Sequence, residues 1–215
     1  MTSMTLYDYF RSSAAYRVRI ALNIKGLDYA QVPVNLAMGE HATESFHRVN
    51  AQGLVPILVD ADFTLAQSLA ICEYLEETHA EPPLLPQGAA ARARVRNLAL
   101  AVACDIHPLN NLRVLNYLTS NLGIDEQRKL IWYRHWVEVG FSSMEQQLAD
   151  DDVSGEFCHG DRPGLADCCL VPQVFNARRF QVDLTAYPNI VRIDAACNAL
   201  ASFAQAHPEK QPGAV

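Results

Sequence analysis

The chain has no Cys-x-x-Cys pair, no cysteine–histidine spacing that reads as a zinc site, and no apolar run near the roughly 20 residues that a membrane span needs. Zinc-ribbon, dithiol-redox and transmembrane readings fall away, and neither a metal nor a membrane is expected. There is no excess of positive charge either: the formal net charge of -7 excludes a general nucleic-acid binder. The opening MTSMTLYDYF lacks the basic start and apolar core of a secretion signal. Cys72, Cys104, Cys158, Cys168, Cys169 and Cys197 stand mostly in apolar runs such as LAICEYL and LADCCLV, which reads as buried thiols in a reducing compartment. A soluble, cytoplasmic protein is expected. No internal repeat is visible, and no convincing strand follows residue 90.

What is present is 215 residues, 50% of them hydrophobic, enough core for one large domain or two small ones. The basic residues cluster: Arg11, Arg17, Arg19 and Lys25; Arg92, Arg94 and Arg96; Arg178 and Arg179. Local basic pockets in an acidic protein suit small anions better than a polymer.

The first part alternates strand and helix. MTLYDYF reads as a strand, Ser13 to Lys25 as a helix with Gly26 as its stop, and DYAQVPVNL as a second strand. TESFHRVN fits a short helix. LVPILVD and FTLAQ fit two strands joined by a DAD turn, and SLAICEYLEETH an amphipathic helix with Ser68 at its N-cap. AEPPLLPQGAAA is a linker by its proline and glycine content. Beyond it helices are expected over 91–121, broken at Pro108, and over 124–149, 166–179 and 189–206. The expected organisation is an α/β domain over 1–83, a linker over 84–90 and an all-α domain over 91–215.

Five stretches could carry chemistry. Ser12 and Ser13 stand where a strand gives way to a helix. Helix capping alone accounts for them, yet the same place offers free backbone N–H groups and a helix dipole to an anion. A hydroxyl there can donate to a thiolate. Serine as nucleophile is disfavoured, because no His-Asp partner is evident nearby. Val55-Pro56 reads as strand punctuation or as a cis bond that leaves the Val55 backbone open to an extended peptide. Gln67 and Ser68 open a helix and could hold a carboxylate. Around Pro108, His107, Asn110, Asn111 and Arg113 crowd a helix break, either as a solvated kink or facing a ligand. Arg178 and Arg179 are salt-bridge partners or a carboxylate clamp.

Taken together, and over nearly the whole chain, these stretches resemble the zeta class of the glutathione transferases, the family of the maleylacetoacetate isomerases. The run Ser12-Ser13-Ala14-Ala15-Tyr16-Arg17-Val18-Arg19-Ile20-Ala21-Leu22 is similar to the family's opening motif. Val55-Pro56, Gln67 to Glu77, Leu84 to Pro86, His107 to Leu115, Ala166 to Val174 and Arg179 to Pro188 match further motifs in order. The resemblance implies a thioredoxin-like N-terminal domain that binds glutathione, an all-α C-terminal domain and a homodimer. It implies Ser12 and Ser13 beside the glutathione sulfur as catalytic groups, and Val55, Gln67, Ser68, His41, Gln52, His107 and Asn111 as further glutathione contacts. Arg11, Arg113 and Arg179 would receive the carboxylates of a small dicarboxylate substrate. The implied activity is glutathione-dependent cis–trans isomerisation of a maleyl-type dicarboxylate by reversible thiolate addition, with maleylacetoacetate ahead of maleylpyruvate. A general conjugating transferase and a non-catalytic module on the same fold are the other readings. Ala14 replaces the family's usual cysteine, Tyr16 its tryptophan, and Gly164 a helix-capping Thr or Ser.

Overall fold

Burial alternates along Met4–Asp8 (β1), with Met4, Leu6 and Asp8 inward, the period of a half-buried strand. The computed structural model describes residues 4–214; residues 1–3 and 215 of the expected domains lie outside the described ones. Tyr29–Pro33 (β2) pairs parallel to β1, and Ile57–Asp60 (β3) pairs antiparallel to it on the other side. Phe63–Ala66 (β4) closes the sheet against β3, giving the order β2-β1-β3-β4. A parallel pair needs a crossover, and Ser13–Ile24 (α1) supplies it. Glu44–Val49 (α2) and Ser68–Thr78 (α3) complete the α/β part. α1 ends in a Schellman turn: Leu27 N–H donates to Leu22 O (3.0 Å) and Gly26 N–H to Asn23 O (3.2 Å), with Gly26 at φ +63°.

α1 is buried on nearly every side, and it buries bases. Arg19, fully buried, donates through Nη1 to both oxygens of Asp8 (2.7 and 2.8 Å), through Nη2 to Phe10 O (3.1 Å) and through Nε to Ala206 O (3.0 Å). Lys25 donates to Glu76 (2.9 Å) and to the carbonyls of His79 (2.6 Å) and Pro82 (3.0 Å). Each of these two buried charges has a counter-charge and further hydrogen bonds, the condition under which such a pair is tolerated.

The Ala206 bond marks a difference from the expected domain limits. The segment from Ala199, with its helix Ala201–Ala206 (α9), forms one compact unit with the residues up to Leu84. Asn23 Nδ2 donates to Ser202 O (2.9 Å) and Gln31 Nε2 to Gln211 Oε1 (2.9 Å), so the tail is fastened to α1 and β2 by polar bonds as well as by Phe203 and Ala206 in the core. The expected helix over 189–206 is accordingly two helices, Pro188–Asn198 (α8) and α9, with Leu200 in an extended conformation between them.

The second unit runs from Leu85 to Asn198. It holds Ala89–Leu100 (α4), Leu112–Ser120 (α5), Glu126–Ala149 (α6), Leu165–Arg179 (α7) and α8. α7 is its buried axis, with every residue from Leu165 to Val174 inside. The stretch expected as one helix broken at Pro108 is α4, then a π-helical turn over Ala101–Ile106, then α5. Gly140 of α6 lets this turn come close: a Cβ there would lie 2.3 Å from the Ile106 side chain. Gly164 has no side chain to cap α7, and Asp167 does the work from inside the helix. Its carboxylate accepts from Gly164 N–H (2.8 Å) and Cys158 N–H (2.9 Å). Burial pushes the Asp167 carboxyl up against those two bonds, and burial pushes the neighbouring Cys158 and Cys197 thiols up as well, which favours their protonated form. Five of the six cysteines are buried as expected; Cys104 is exposed because it lies on the outer side of the π turn. No helix among the described residues is long and apolar enough to cross a membrane.

Candidate active site

The residues singled out by sequence fall into two groups, one in each unit. In the first unit the strand-to-helix turn after β1 carries Ser12. It is the N-cap of α1, extended at φ -67° and ψ 115°, and its Oγ accepts from Ala15 N–H at 3.2 Å. One of its lone pairs is used by the helix, and its O–H remains able to donate to an outside acceptor. Ser12 is half-buried, whereas Ser13 is buried in the first turn of α1, so Ser12 presents the more accessible hydroxyl. Arg11 is exposed, with its guanidinium 4.7 Å above the Phe10 ring.

Val55 precedes Pro56 through a cis peptide bond and packs in an apolar cluster with Val34, Phe46 and Ile57. Among the described residues neither its N–H nor its C=O has a backbone partner. It therefore offers one donor and one acceptor side by side, the pattern that an extended peptide pairs with.

The opening of α3 departs from the expected cap. Gln67, not Ser68, holds the N-cap position, and it makes no side-chain cap bond. Its φ of +71° is one that non-glycine residues seldom adopt, at a cost of order 1–3 kcal/mol, and such strain concentrates at ligand sites. Ser68 becomes the first helical residue, buried, with its Oγ accepting from Arg17 Nη1 at 3.2 Å. Gln67 Nε2 donates to Gln52 Oε1 at 3.2 Å, which links two of the expected contact residues directly. His41 lies in the 3-10 turn Glu40–Ala42, and its carbonyl is the backbone atom that a Cβ on Gly53 would meet at 3.0 Å. His41 thus lines the loop that carries Gln52.

In the second unit His107, Asn111 and Arg113 meet at the start of α5. Asn111 is its N-cap, with Oδ1 accepting from Arg113 N–H (3.1 Å) and Nδ2 3.4 Å from His107 Nε2. The π turn just before them explains why four polar residues crowd there: π turns interrupt the α ladder and recur at functional sites. Of those four, Asn110 is structural, donating from Nδ2 to Tyr133 O (3.1 Å). Arg178 and Arg179 part company. Arg178 Nη1 pairs with Asp194 at 2.6 Å, a structural bridge from α7 to α8. Arg179 ends α7, exposed, its guanidinium 5.1 Å from the Phe180 ring, which itself stacks on Tyr133 at 3.7 Å between centroids.

Sequence reasoning gave Arg17 no role beyond membership of a basic cluster. The signal was its place between Tyr16 and Val18 in an apolar run, where a charged side chain has nowhere to go but inside.

Two family models match the chain: the glutathione S-transferase N-terminal domain over residues 2–77 and the glutathione S-transferase C-terminal domain over 140–208. The chain is 52% identical over 216 residues, all of both proteins, to a Vibrio cholerae protein named "Probable maleylacetoacetate isomerase". It superposes with a TM-score of 0.97 and 48% identity, covering 98% of this chain and all of the other, on the holo structure of a maleylpyruvate isomerase described as a bacterial zeta-class glutathione S-transferase. It superposes with a TM-score of 0.95 and 44% identity, over 98% and 99% of the two chains, on maleylacetoacetate isomerase of Methylobacterium extorquens AM1 with malonate and glutathione bound. Full-length identity near one half, together with the two matching family models, places this chain in the glutathione S-transferase family, in its zeta class.

Proposed function

We propose that the protein is a glutathione-dependent cis–trans isomerase of a maleyl-type dicarboxylate, with maleylacetoacetate as substrate and fumarylacetoacetate as product. The observation that carries this reading is the Ser12 cap: a half-buried hydroxyl at the N-terminus of α1 whose oxygen is held by Ala15 N–H and whose O–H is left to donate.

The first unit's residues suit glutathione. Val55 would pair with the tripeptide backbone, Ser68 and the first N–H groups of α3 would take the γ-glutamyl carboxylate with Gln67 beside them, and Ser12 would face the sulfur. Gln52, His41, Ser13, His107 and Asn111 complete the proposed contacts. When bound, glutathione supplies a thiolate that adds reversibly to the alkene, so that the former double bond can turn. Ser12 donates to that sulfur and, with the N-terminus of α1, favours the ionised form of a thiol whose ordinary pKa is about 8.5. Arg11, Arg113 and Arg179 receive the substrate's carboxylates, for which a guanidinium fork is better shaped than an ammonium. They must outweigh the repulsion between a dianion and a chain of net charge -7, which salt screens beyond about 8–10 Å. Ala14 supplies no thiol of the protein's own, which supports a reaction carried by the tripeptide sulfur alone.

Two measurements test the reading. Isomerisation of maleylacetoacetate is expected only with glutathione present; full turnover in exhaustively dialysed protein would end the proposal. Maleylpyruvate belongs in the same assay, because the neighbour that superposes at a TM-score of 0.97 is a maleylpyruvate isomerase. A higher kcat/KM for maleylpyruvate would move the assignment to that sibling reaction. Separately, Arg179→Ala is expected to raise the dicarboxylate KM by about 10- to 100-fold, the loss of one charged hydrogen-bonding partner, while conjugation of a neutral electrophile is nearly unchanged. Equal loss in both assays would make Arg179 structural. A cytoplasmic homodimer belongs to the same reading: free thiols suit a reducing compartment, and the exposed Met38 and Phe63 suit a partner subunit.

A further inference from the structure

Arg17 is a buried base with no carboxylate partner among the described residues. Its side chain lies on α1, 2% exposed, and Nη1 donates to Ser68 Oγ at 3.2 Å, while Nε and Nη2 are buried without a hydrogen-bond partner among the described residues. Two other buried bases, Arg19 on α1 and Lys25 at its C-cap, each have a carboxylate within 2.9 Å. Arg17 has none among the described residues, although an interior guanidinium without a counter-charge is costly. A negative group arriving from outside would stabilise such a charge.

The geometry says where. Ser68 opens α3, an 11-residue helix whose first N–H groups point out of its N-terminus. Because Ser68 Oγ accepts from Arg17, which can only donate, its own proton is left to serve an acceptor other than the guanidinium. Gln67, strained at φ +71°, holds the backbone so that Ser68 rather than a capping side chain occupies the place. An incoming carboxylate would therefore meet a hydroxyl donor, a helix N-terminus and, one hydroxyl further in, an unneutralised positive charge.

Resting on the glutathione reading above, we propose that Arg17 is the positioning residue of the γ-glutamyl subsite: it orients the Ser68 hydroxyl as a donor and lends its charge to the ligand's α-carboxylate without touching it. The test is calorimetric and independent of turnover. Glutathione and 4-aminobutanoyl-Cys-Gly, which lacks only that α-carboxylate, are titrated into wild type, Arg17→Met and Arg17→Lys. For Arg17→Met the glutathione Kd should rise about 10- to 100-fold, the span of one charge-assisted interaction, while the Kd of the decarboxylated analogue stays within about twofold. Arg17→Lys, which keeps the charge and loses the planar fork, should show a smaller loss, again confined to glutathione. Should the Met variant not fold, the Lys variant decides by the same comparison. An unchanged glutathione Kd, or equal losses for both ligands, would overturn the role of Arg17 alone. Wild-type protein that binds no glutathione overturns the underlying reading and this proposal with it.

Discussion

Ser12→Ala should lower kcat/KM for the dicarboxylate by about 10- to 100-fold, the value of one hydrogen bond to a charged atom at the reacting centre, while the glutathione Kd moves by less than about threefold. The split follows from where the hydroxyl stands. Ser12 Oγ already accepts from Ala15 N–H, so what it has left to give is a proton, and a proton donor favours an ionised sulfur far more than a neutral one. The glutathione reading assigns most of the ligand's grip to Val55 and to the α3 opening, which the substitution leaves intact. The acid limb of the pH–rate profile supplies a second readout. Activity rises as the thiol ionises, so losing the donor moves that limb to higher pH, by about one unit for each 1.4 kcal/mol lost. The same change removes the N-cap of α1, worth about 1 kcal/mol, which a thermal melt will register separately. Unchanged turnover, or a loss that tracks the melt and spares the pH profile, would remove Ser12 from the chemistry.

The largest effect on stability is expected at Asp8. It and Arg19 are buried, and Arg19 makes four hydrogen bonds, two of them to Asp8, which also accepts from Gln31 Nε2 at 3.0 Å. Asp8→Asn deletes the counter-charge and turns an amide N–H₂ toward a guanidinium that can only donate. A loss of about 3–5 kcal/mol is expected, the usual consequence of stranding one member of a buried pair. Against the 5–15 kcal/mol that holds a typical domain together, this is a large fraction. Urea denaturation measures it. Removing both partners, Asp8→Leu with Arg19→Met, should recover a substantial part, since what costs most is the charge left behind and not the absence of the pair. A loss below about 1 kcal/mol for Asp8→Asn would mean that water reaches the pair.

The sequence made the helix starts and stops readable wherever a residue's own chemistry decides them. Ser12 caps α1 and Gly26 ends it at a positive φ, as both residue types lead one to expect. Ser68 was misplaced by one residue because the strained φ of Gln67 has no signature: glutamine does not advertise a left-handed backbone, and only the surrounding fold imposes it. The break between α8 and α9 was missed for a similar reason. Ala199 to Ser202 contains neither glycine nor proline, and the chain turns there because α9 is wanted elsewhere, at Arg19 and Asn23. The proposed contact residues could be picked out from the sequence, because their types fix what they can donate or accept. Arg17 could not, since its meaning lies in the absence of a carboxylate, and an absence of that kind is visible only in three dimensions.

The tail that fastens to α1 sets an order on synthesis. Everything from Leu85 to Asn198 leaves the ribosome after β1 to α3 and before the residues that complete their core. Until Ala206 emerges, Arg19 lacks the acceptor for its Nε proton, and the pocket later filled by Phe203 stands open to water. Of the two units, the one that starts earlier is the last to be finished.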